Sequence, residues 1–421
     1  MALDPTQAPR RRPFLIEHPA FGFFWLARGV SSLSYQMQAV ASGWQVYELT
    51  HSTFQLGMIG LVQFLPMALL TLPAGHVADR YDRRKVTAVA VGVQGAAMAV
   101  LALGSWGRWL TPLGIFVAVG IIGAARAFER PTGQALMPTL VPQGLVPKAI
   151  AWGSAIFQVA SIVGPAVGGL LYAFGAAAPY GVAAVLELSG VALMLSIRQE
   201  RAMPPREPVT LRSVFSGVHF IRDNPVILGS ISLDLFAVLL GGSTALLPAF
   251  ARDVLGIGAW GLGVLRSAPA LGSLAMSAIL AFRPLGARVG RKMFAAVMAF
   301  GLATIVFGLS RSPILSFAAL FVLGAADIVS VVIRSSVVQL GTPNEMRGRV
   351  SAVNSLFIGT SNQLGEFESG ITASWFGTVA ATVAGGVGTL VICLAWTRLF
   401  PKLFDVDRID SPGSGDKPAG A

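Results

Sequence analysis

The sequence predicts an all-α polytopic membrane protein, with twelve transmembrane helices arranged as two parallel six-helix pseudo-repeats. Three observations carry this. First, only 12% of the 421 residues are charged while 54% are hydrophobic, and the mean hydropathy is +0.68. That is about half the charge of an ordinary soluble chain. Second, apolar runs such as 54–75, 86–104, 181–197 and 379–396 each carry at most one charge. Roughly 20 such residues cross about 30 Å of hydrocarbon as a helix. The runs do not alternate with period two, so helices rather than barrel strands satisfy the backbone in lipid. Third, the second half of the chain echoes the first at a near-constant offset.

Taken in order, the apolar runs between polar breaks place spans at 20–47, 53–75, 86–106, 110–130, 148–174 and 178–198, then at 225–250, 257–282, 290–310, 313–338, 348–376 and 378–399. The domains that follow are a cytoplasmic N-terminal segment (1–19), a first six-helix bundle (20–198), a linker (199–224), a second bundle (225–400) and a disordered cytoplasmic tail (401–421). The first segment carries Arg10, Arg11 and Arg12 but no apolar core followed by a small-residue cleavage site, which argues against a cleaved signal peptide. The linker ends in an amphipathic stretch with Leu211, Val214, Phe215, Val218 and Ile221 on one helical face, expected to lie on the membrane surface.

An even number of spans puts both termini on one side. The loops of that side hold Arg80, Arg83, Arg84, Lys85, Arg198, Arg201, Arg288, Arg291, Lys292, Arg347 and more, while the opposite loops hold only Arg108, Arg252 and Arg311. Basic residues mark the cytoplasmic side, so both termini are expected there. The net charge of +11 is then a matter of topology, and no nucleic-acid role is expected.

The echo between halves is clearest at three places. "GHVADRYDRRK" from Gly75 returns as "RPLGARVGRKM" from Arg283, with the basic residues kept and Asp79 replaced by Ala287. "HPAFGFFWLARG" from His18 faces "NPVILGSISLDL" from Asn224, and Leu140 to Phe157 face Gly341 to Ile358. The offsets lie between 201 and 208 positions, each at a helix end of the basic side. Parallel repeats of this kind build a cavity between two halves.

With twelve spans, a 6+6 repeat and G-x-x-A-D-R-x-x-R-R-K after span 2, the chain resembles the major facilitator superfamily, with Asp82 where that signature usually has a second glycine. "GPAVGG" in span 5, with Gly164, Pro165, Gly168 and Gly169, resembles the helix motif of its drug/proton antiporters. "WLARGVSSLS", "WQVYELTHSTFQLG", "AFERPTGQALMPTLVP" and "TPNEMRGRVSAV" are similar to the bacterial branch of enterobactin-exporter-like and multidrug efflux proteins. The resemblance covers residues 18 to 400 and implies secondary transport by alternating access, in a bacterial inner membrane. It also implies a gate at Gly75, Asp79, Arg80 and Arg83. The small residues would let a neighbouring helix approach, and Asp79 would pair with the start of span 11 or with Arg126 or Arg130 at the end of span 4.

Ionisable residues inside spans are costly and are functional candidates by default. Asp234, Asp327 and Glu366 are the candidates for carrying a coupling proton. Arg28, Tyr35, Gln38, Arg266 and Asn362 are candidates for a substrate cavity. Tyr35 and Gln38 fall on a polar stripe of span 1 with Ser31, Ser42 and Gln45, and Asn362 and Glu366 on one of span 11 with Ser351, Ser355 and Ser369. A static Arg266–Glu366 ion pair is the competing structural role.

Other chemistry finds no support. "GIGAWG" at 256–261 lacks a preceding strand, the four histidines are scattered, the lone Cys393 forms no ligand set, and neither a Walker lysine motif nor G-x-S-x-G is present. The expected protein is not an enzyme and needs no cofactor, with a proton gradient as its energy source. Its partners are the lipid bilayer, protons and a small amphipathic organic substrate, a siderophore or drug, and it is expected to be a monomer. A lipid-like flippase of the same fold and a non-transporting sensor are the alternatives.

Overall fold

A computed structural model describes residues 14–198, 211–283 and 285–408, apart from some side chains, among them that of Asp79. Twelve long helices are present in it: α1 (Pro19–Thr50), α2 (Thr53–Arg80), α3 (Arg83–Trp106), α4 (Pro112–Leu136), α5 (Val146–Tyr172), α6 (Ala177–Leu195), α7 (Pro225–Gly241), α8 (Gly258–Phe282), α9 (Val289–Leu309), α10 (Pro313–Leu340), α11 (Asn344–Phe376) and α12 (Thr378–Leu399). Ten are long and apolar enough to cross a membrane. The other two, α1 and α11, are the longest at 32 and 33 residues and carry the polar stripes.

Local chemistry sets the helix starts. Pro19, Pro112, Pro225 and Pro313 occupy first-turn positions, where a missing N–H costs nothing. Ser52, Asp82, Thr111 and Asn224 cap their helices by accepting backbone N–H groups. Asp82, the departure from the loop signature, accepts from the N–H groups of Arg84 and Lys85, so it starts α3 as a cap.

The same helix pairs pack in each half: α1 on α5 and α6, α2 on α4, and α3 on α4 and α6, matched by α7 on α11 and α12, α8 on α10, and α9 on α10 and α12. Between halves the main contacts are α5 with α8 and α2 with α11. This is the two-fold pseudo-repeat that the sequence echo predicts.

Four expectations need correcting. Span 7 is not one helix to residue 250. It breaks at Gly242, continues as a 3-10 turn (Ser243–Leu246), and ends in a π-helical turn at Phe250–Val254. Backbone crowding locates the break, since a Cβ at Gly242 would lie 2.8 Å from the carbonyl of Gly365 on α11. The linker helix (Leu211–Asp223) packs on α11 rather than resting on lipid alone: Gly217 meets the Arg349 carbonyl and Val353, Ile221 is buried, and Val218 of the expected apolar face is exposed. Leu211, Val214 and Phe215 lie outside the described side chains. The described part of the tail, residues 401–408, is ordered. Pro401–Phe404 forms a turn of helix, Leu403 is buried, and Val406 and Asp407 accept the N–H groups of Gly290 and Val289. Finally, α4 runs to Leu136 rather than 130, which moves Arg126 and Arg130 deep into the helix.

Hydrophobic clusters divide by end. At the end carrying the basic loops, one cluster (Phe21, Leu136, Ile197) belongs wholly to the first half and another (Ile231, Phe294, Leu403) wholly to the second. At the far end a single cluster spans both halves, joining Val40, Trp44 and Tyr172 to Leu247, Phe250, Leu262 and Phe307.

Candidate functional site

The far end is sealed by small residues. A Cβ at Gly370 of α11 would lie 2.6 Å from Gly57 Cα and 2.8 Å from the Thr53 carbonyl of α2. At the equivalent crossing, Gly169 of α5 meets the Ala259 carbonyl and, at 3.0 Å, Gly263 Cα of α8. The backbones approach this closely because no side chain stands between them. Ser267 of α8 donates to the Ile162 carbonyl at 2.6 Å, and Gln158 of α5 to the Ala270 carbonyl at 2.8 Å. The outer segment of span 7 closes the middle, with Leu246 to Ala251 fully buried and Tyr47 of α1 donating to Asp253.

The basic end is open. Nothing lies within 4 Å of where a Cβ would stand at Gly75, Gly153, Gly348 or Gly359. No hydrogen bond or ion pair among the described side chains joins the halves there. The close approach expected at Gly75 is therefore not made in this conformation, and the aspartate expected to gate, Asp79, falls outside the described side chains. Arg80 is exposed. Arg83 and Arg84 tie the loop to their own half: Arg83 donates to the Ala78 and Ala135 carbonyls at 3.1 and 3.4 Å, and Arg84 to the Ile197 carbonyl at 2.6 Å. They pin the ends of α2, α4 and α6 together.

"GPAVGG" packs two neighbours at once. Gly164 and Gly168 face α1, where a Cβ would meet Gln36 Cβ at 2.6 Å and Met37 Cα at 2.9 Å, while Gly169 faces α8. Pro165 lies at this second contact, its carbonyl against Gly263. The crossing involves α1, α5 and α8.

Between the halves lies a cavity of about 270 Å³, walled by Tyr35 of α1, Gln63, Phe64 and Met67 of α2, Arg126 and Arg130 of α4, and Ser355, Asn362 and Gln363 of α11. A smaller cavity of about 50 Å³ adjoins it through Tyr35, Gln63 and Gln363, and adds Gln38, Ser42, Arg266 and Glu366. Arg266 and Glu366 share this wall without forming an ion pair. The guanidinium of Arg126 lies over the Tyr35 ring, 3.7 Å from its centroid, a cation–π contact. Arg126 thus lines the cavity. It lies ten residues from the end of α4, about 15 Å inside by the helical rise. Arg130 likewise lines the cavity.

Each half also holds a buried charge cluster. In the first, Arg28 of α1 pairs with Glu129 of α4 at 2.9 Å, Gln94 donates to the same carboxylate at 3.0 Å, and Arg126 stands 3.9 Å from it. Glu187 of α6 accepts from Ser31. In the second, Asp234 of α7 pairs with Arg334 of α10 at 2.6 Å, with Asp327 beside Asp234 in a small cavity closed by α9. Sequence reasoning passed over Glu129 and Arg334, yet the repeat contains them. Arg28 and Asp234 are 206 positions apart, the offset relating His18 to Asn224, and Glu129 and Arg334 are 205 apart. The α1–α4 pair and its α7–α10 counterpart carry opposite charge sense. The stripe of span 1 also splits: Tyr35, Gln38 and Ser42 face the cavities, while Ser31 and Gln45 turn inward to Glu187 and Ser105.

The profile of the transmembrane secretion effector family, MFS_3, matches residues 12–416. The chain belongs to that family of major facilitator transporters. It is 29% identical over 380 residues to the enterobactin exporter EntS of Shigella boydii serotype 18, covering 89% of this chain and 90% of that protein, and equally to EntS of Escherichia coli O139:H28. Among solved structures, a bacterial homolog of the human lysosomal transporter Spinster, inward-facing and occupied, superposes with a TM-score of 0.74 at 15% identity, covering 96% of this chain and all of that one. A bacterial homologue of the iron transporter ferroportin, inward-facing, superposes at 0.68 with 16% identity over 92% of this chain and all of that one. These likenesses fix the fold. The transporter is a multi-pass membrane protein working as a secondary carrier, not an enzyme.

Proposed function

We propose that this transporter is a proton-coupled exporter of an amphipathic organic molecule, a siderophore or a drug, acting as a monomer in a bacterial inner membrane. The observation that carries the reading is the cavity between the halves, sealed at the far end and open at the basic end. By the basic-residue rule the open end faces the cytoplasm, where cargo for export is loaded. In this reading both termini lie in the cytoplasm, and residues 20–198 and 225–400 are the two moving bundles. The similarity to enterobactin exporters supports a siderophore-like cargo, and polar groups beside Phe64 and Met67 suit an amphipathic one. The sequence has no Walker lysine motif, and a proton gradient, with no cofactor, is the energy source of this reading.

In this scheme the proton carrier is one of Asp234, Asp327 and Glu366. Asp234 and Asp327 line one small cavity, with Arg334 paired to Asp234, and Glu366 lines the smaller cavity that adjoins the central one. We expect Asp234→Asn, Asp327→Asn or Glu366→Gln to cut proton-driven efflux of an amphipathic dye from vesicles by at least about tenfold at the carrier position, a loss of roughly 1.4 kcal/mol in coupling. Energy-independent counterflow should survive in Asp327→Asn and Glu366→Gln; Asp234→Asn leaves Arg334 buried without its carboxylate, so its counterflow is normalised to folded protein. Intact proton-driven efflux in the triple variant would remove all three from the mechanism.

A further inference from the structure

The central cavity is unevenly supplied with hydrogen-bonding groups. Two arginines line it, Arg126 and Arg130, and no carboxylate does. Arg126 is only 8% exposed, yet its Nε has no hydrogen-bond partner within the protein. The Nε2 donor of Gln63 and the Oε1 acceptor of Gln363 are also buried and unpartnered. Buried polar groups left unpaired are costly, and a cavity wall is where a ligand repays that cost. The nearest carboxylate, Glu129, is already held by Arg28 at 2.9 Å and by Gln94, and it stands 3.9 Å from Arg126. Glu366 in the adjoining cavity is matched by Arg266, and Glu187 is turned toward Ser31. Positive charge therefore exceeds negative in the lining of the larger cavity.

Arg126 is also fixed in direction. Stacking on Tyr35 holds the guanidinium plane, so its donors are set before a ligand arrives. A guanidinium is the side chain best suited to a planar oxyanion. Phe64, Met67 and Ile358 supply apolar wall on the remaining sides.

We infer that this cavity is selective for organic anions: it takes an aryl compound bearing a carboxylate or similar oxyanion, with the anionic group at Arg126 and Arg130 and the ring against the apolar wall. This rests on the exporter reading and narrows its cargo to a charge class.

Three probes of one shape isolate charge: 2-naphthoate, the neutral 2-naphthamide and the cationic 2-naphthylmethylammonium. Titrated calorimetrically into the full chain in lipid nanodiscs, naphthoate should bind at least about tenfold more tightly than the amide, with the ammonium weakest. Arg126→Gln should erase most of that preference. Because this variant also loosens Glu129, Arg130→Gln and Gln63→Glu at less buried positions repeat the test. The first should weaken naphthoate alone, and the second should weaken naphthoate and strengthen the ammonium. Equal binding of all three probes, or a naphthoate preference untouched in Arg130→Gln and Gln63→Glu, would overturn the anion site. Dye efflux measured on the same protein separates the two readings. Equal probe binding with intact efflux removes the anion site and leaves the exporter; anion-selective binding without efflux does the reverse.

Discussion

Gly370→Val is expected to abolish net transport while the protein still folds and inserts. A Cβ at this position would lie 2.6 Å from Gly57 Cα, 2.8 Å from Gly57 N and 2.8 Å from the Thr53 carbonyl. All three are backbone atoms, which cannot swing aside as a side-chain tip would. Overpacking of this kind costs about 1–3 kcal/mol. The cost falls on this conformation, with the far end closed, and is expected to vanish where α2 and α11 separate at these glycines. A bias of that size shifts the balance between conformations by roughly 5- to 150-fold, enough to stall a cycle that must visit both. Gly169→Val, against Ala259 and Gly263 at the α5–α8 crossing, should act in the same direction. Gly75→Val is the internal contrast. It meets open space here, so it costs this conformation nothing and should not open the far end. Cysteine labelling reads the bias directly, since the one native thiol, Cys393, is fully buried. Far-end sites on α5 and α8 should become reactive in Gly370→Val and Gly169→Val. Unchanged labelling together with wild-type transport in both would show that these contacts do not form the seal.

Arg334→Gln should be the most destabilising single change inside the second half, by about 3–5 kcal/mol, the usual effect of breaking a buried ion pair from one side. The side chains of Arg334 and Asp234 are 4% and 7% exposed and 2.6 Å apart. Without the arginine, Asp234 and Asp327 line the same small cavity with no paired cation. The double variant Asp234→Asn/Arg334→Gln should recover much of the loss, because neither side is then left charged and unpaired. Thermal unfolding of detergent-solubilised protein measures both. Arg28→Gln, its counterpart in the first half, should cost less, since Arg28 is 30% exposed and Glu129 keeps Gln94 and Arg126 nearby. An Arg334→Gln protein that melts like the parent would mean that Asp234 does not depend on this partner.

Helix number, order and pairing were largely legible in the chain, because lipid leaves so few ways to satisfy a backbone. Observed helix ends such as Pro225, Pro313 and Thr378 fall where the spans were expected to begin. The interruption of span 7 was not legible. Gly241 and Gly242 look like the many other small residues of membrane helices, and only the opposing Gly365 backbone shows why the helix breaks there. The site was half legible. Tyr35, Gln38, Arg266, Asn362 and Glu366 do line the cavities; all but Arg266 lie on the polar stripes of α1 and α11. Arg28 does not line them; it is engaged with Glu129. Arg126 and Arg130 were misplaced because apolar runs end where hydropathy falls, whereas α4 continues through Thr132 and Gly133 to Leu136. Glu129 and Arg334 escaped attention for a related reason. Each sits near a span end in sequence but well inside its helix in space, and only the repeat offset exposes their equivalence.

The central claim is that two rigid halves rock about the central cavity, closing one end as the other opens. Pulsed electron–electron spin-resonance distances in proteoliposomes test it most directly, using labels at exposed positions across each end: Phe174 with Trp260 at the far end, and Tyr81 with Gly348 at the basic end. Two anticorrelated populations are expected at each pair, so that a change of pH or ligand that lengthens the far-end distance shortens the basic-end distance. A single population at both pairs, or two distances that rise and fall together, would contradict it.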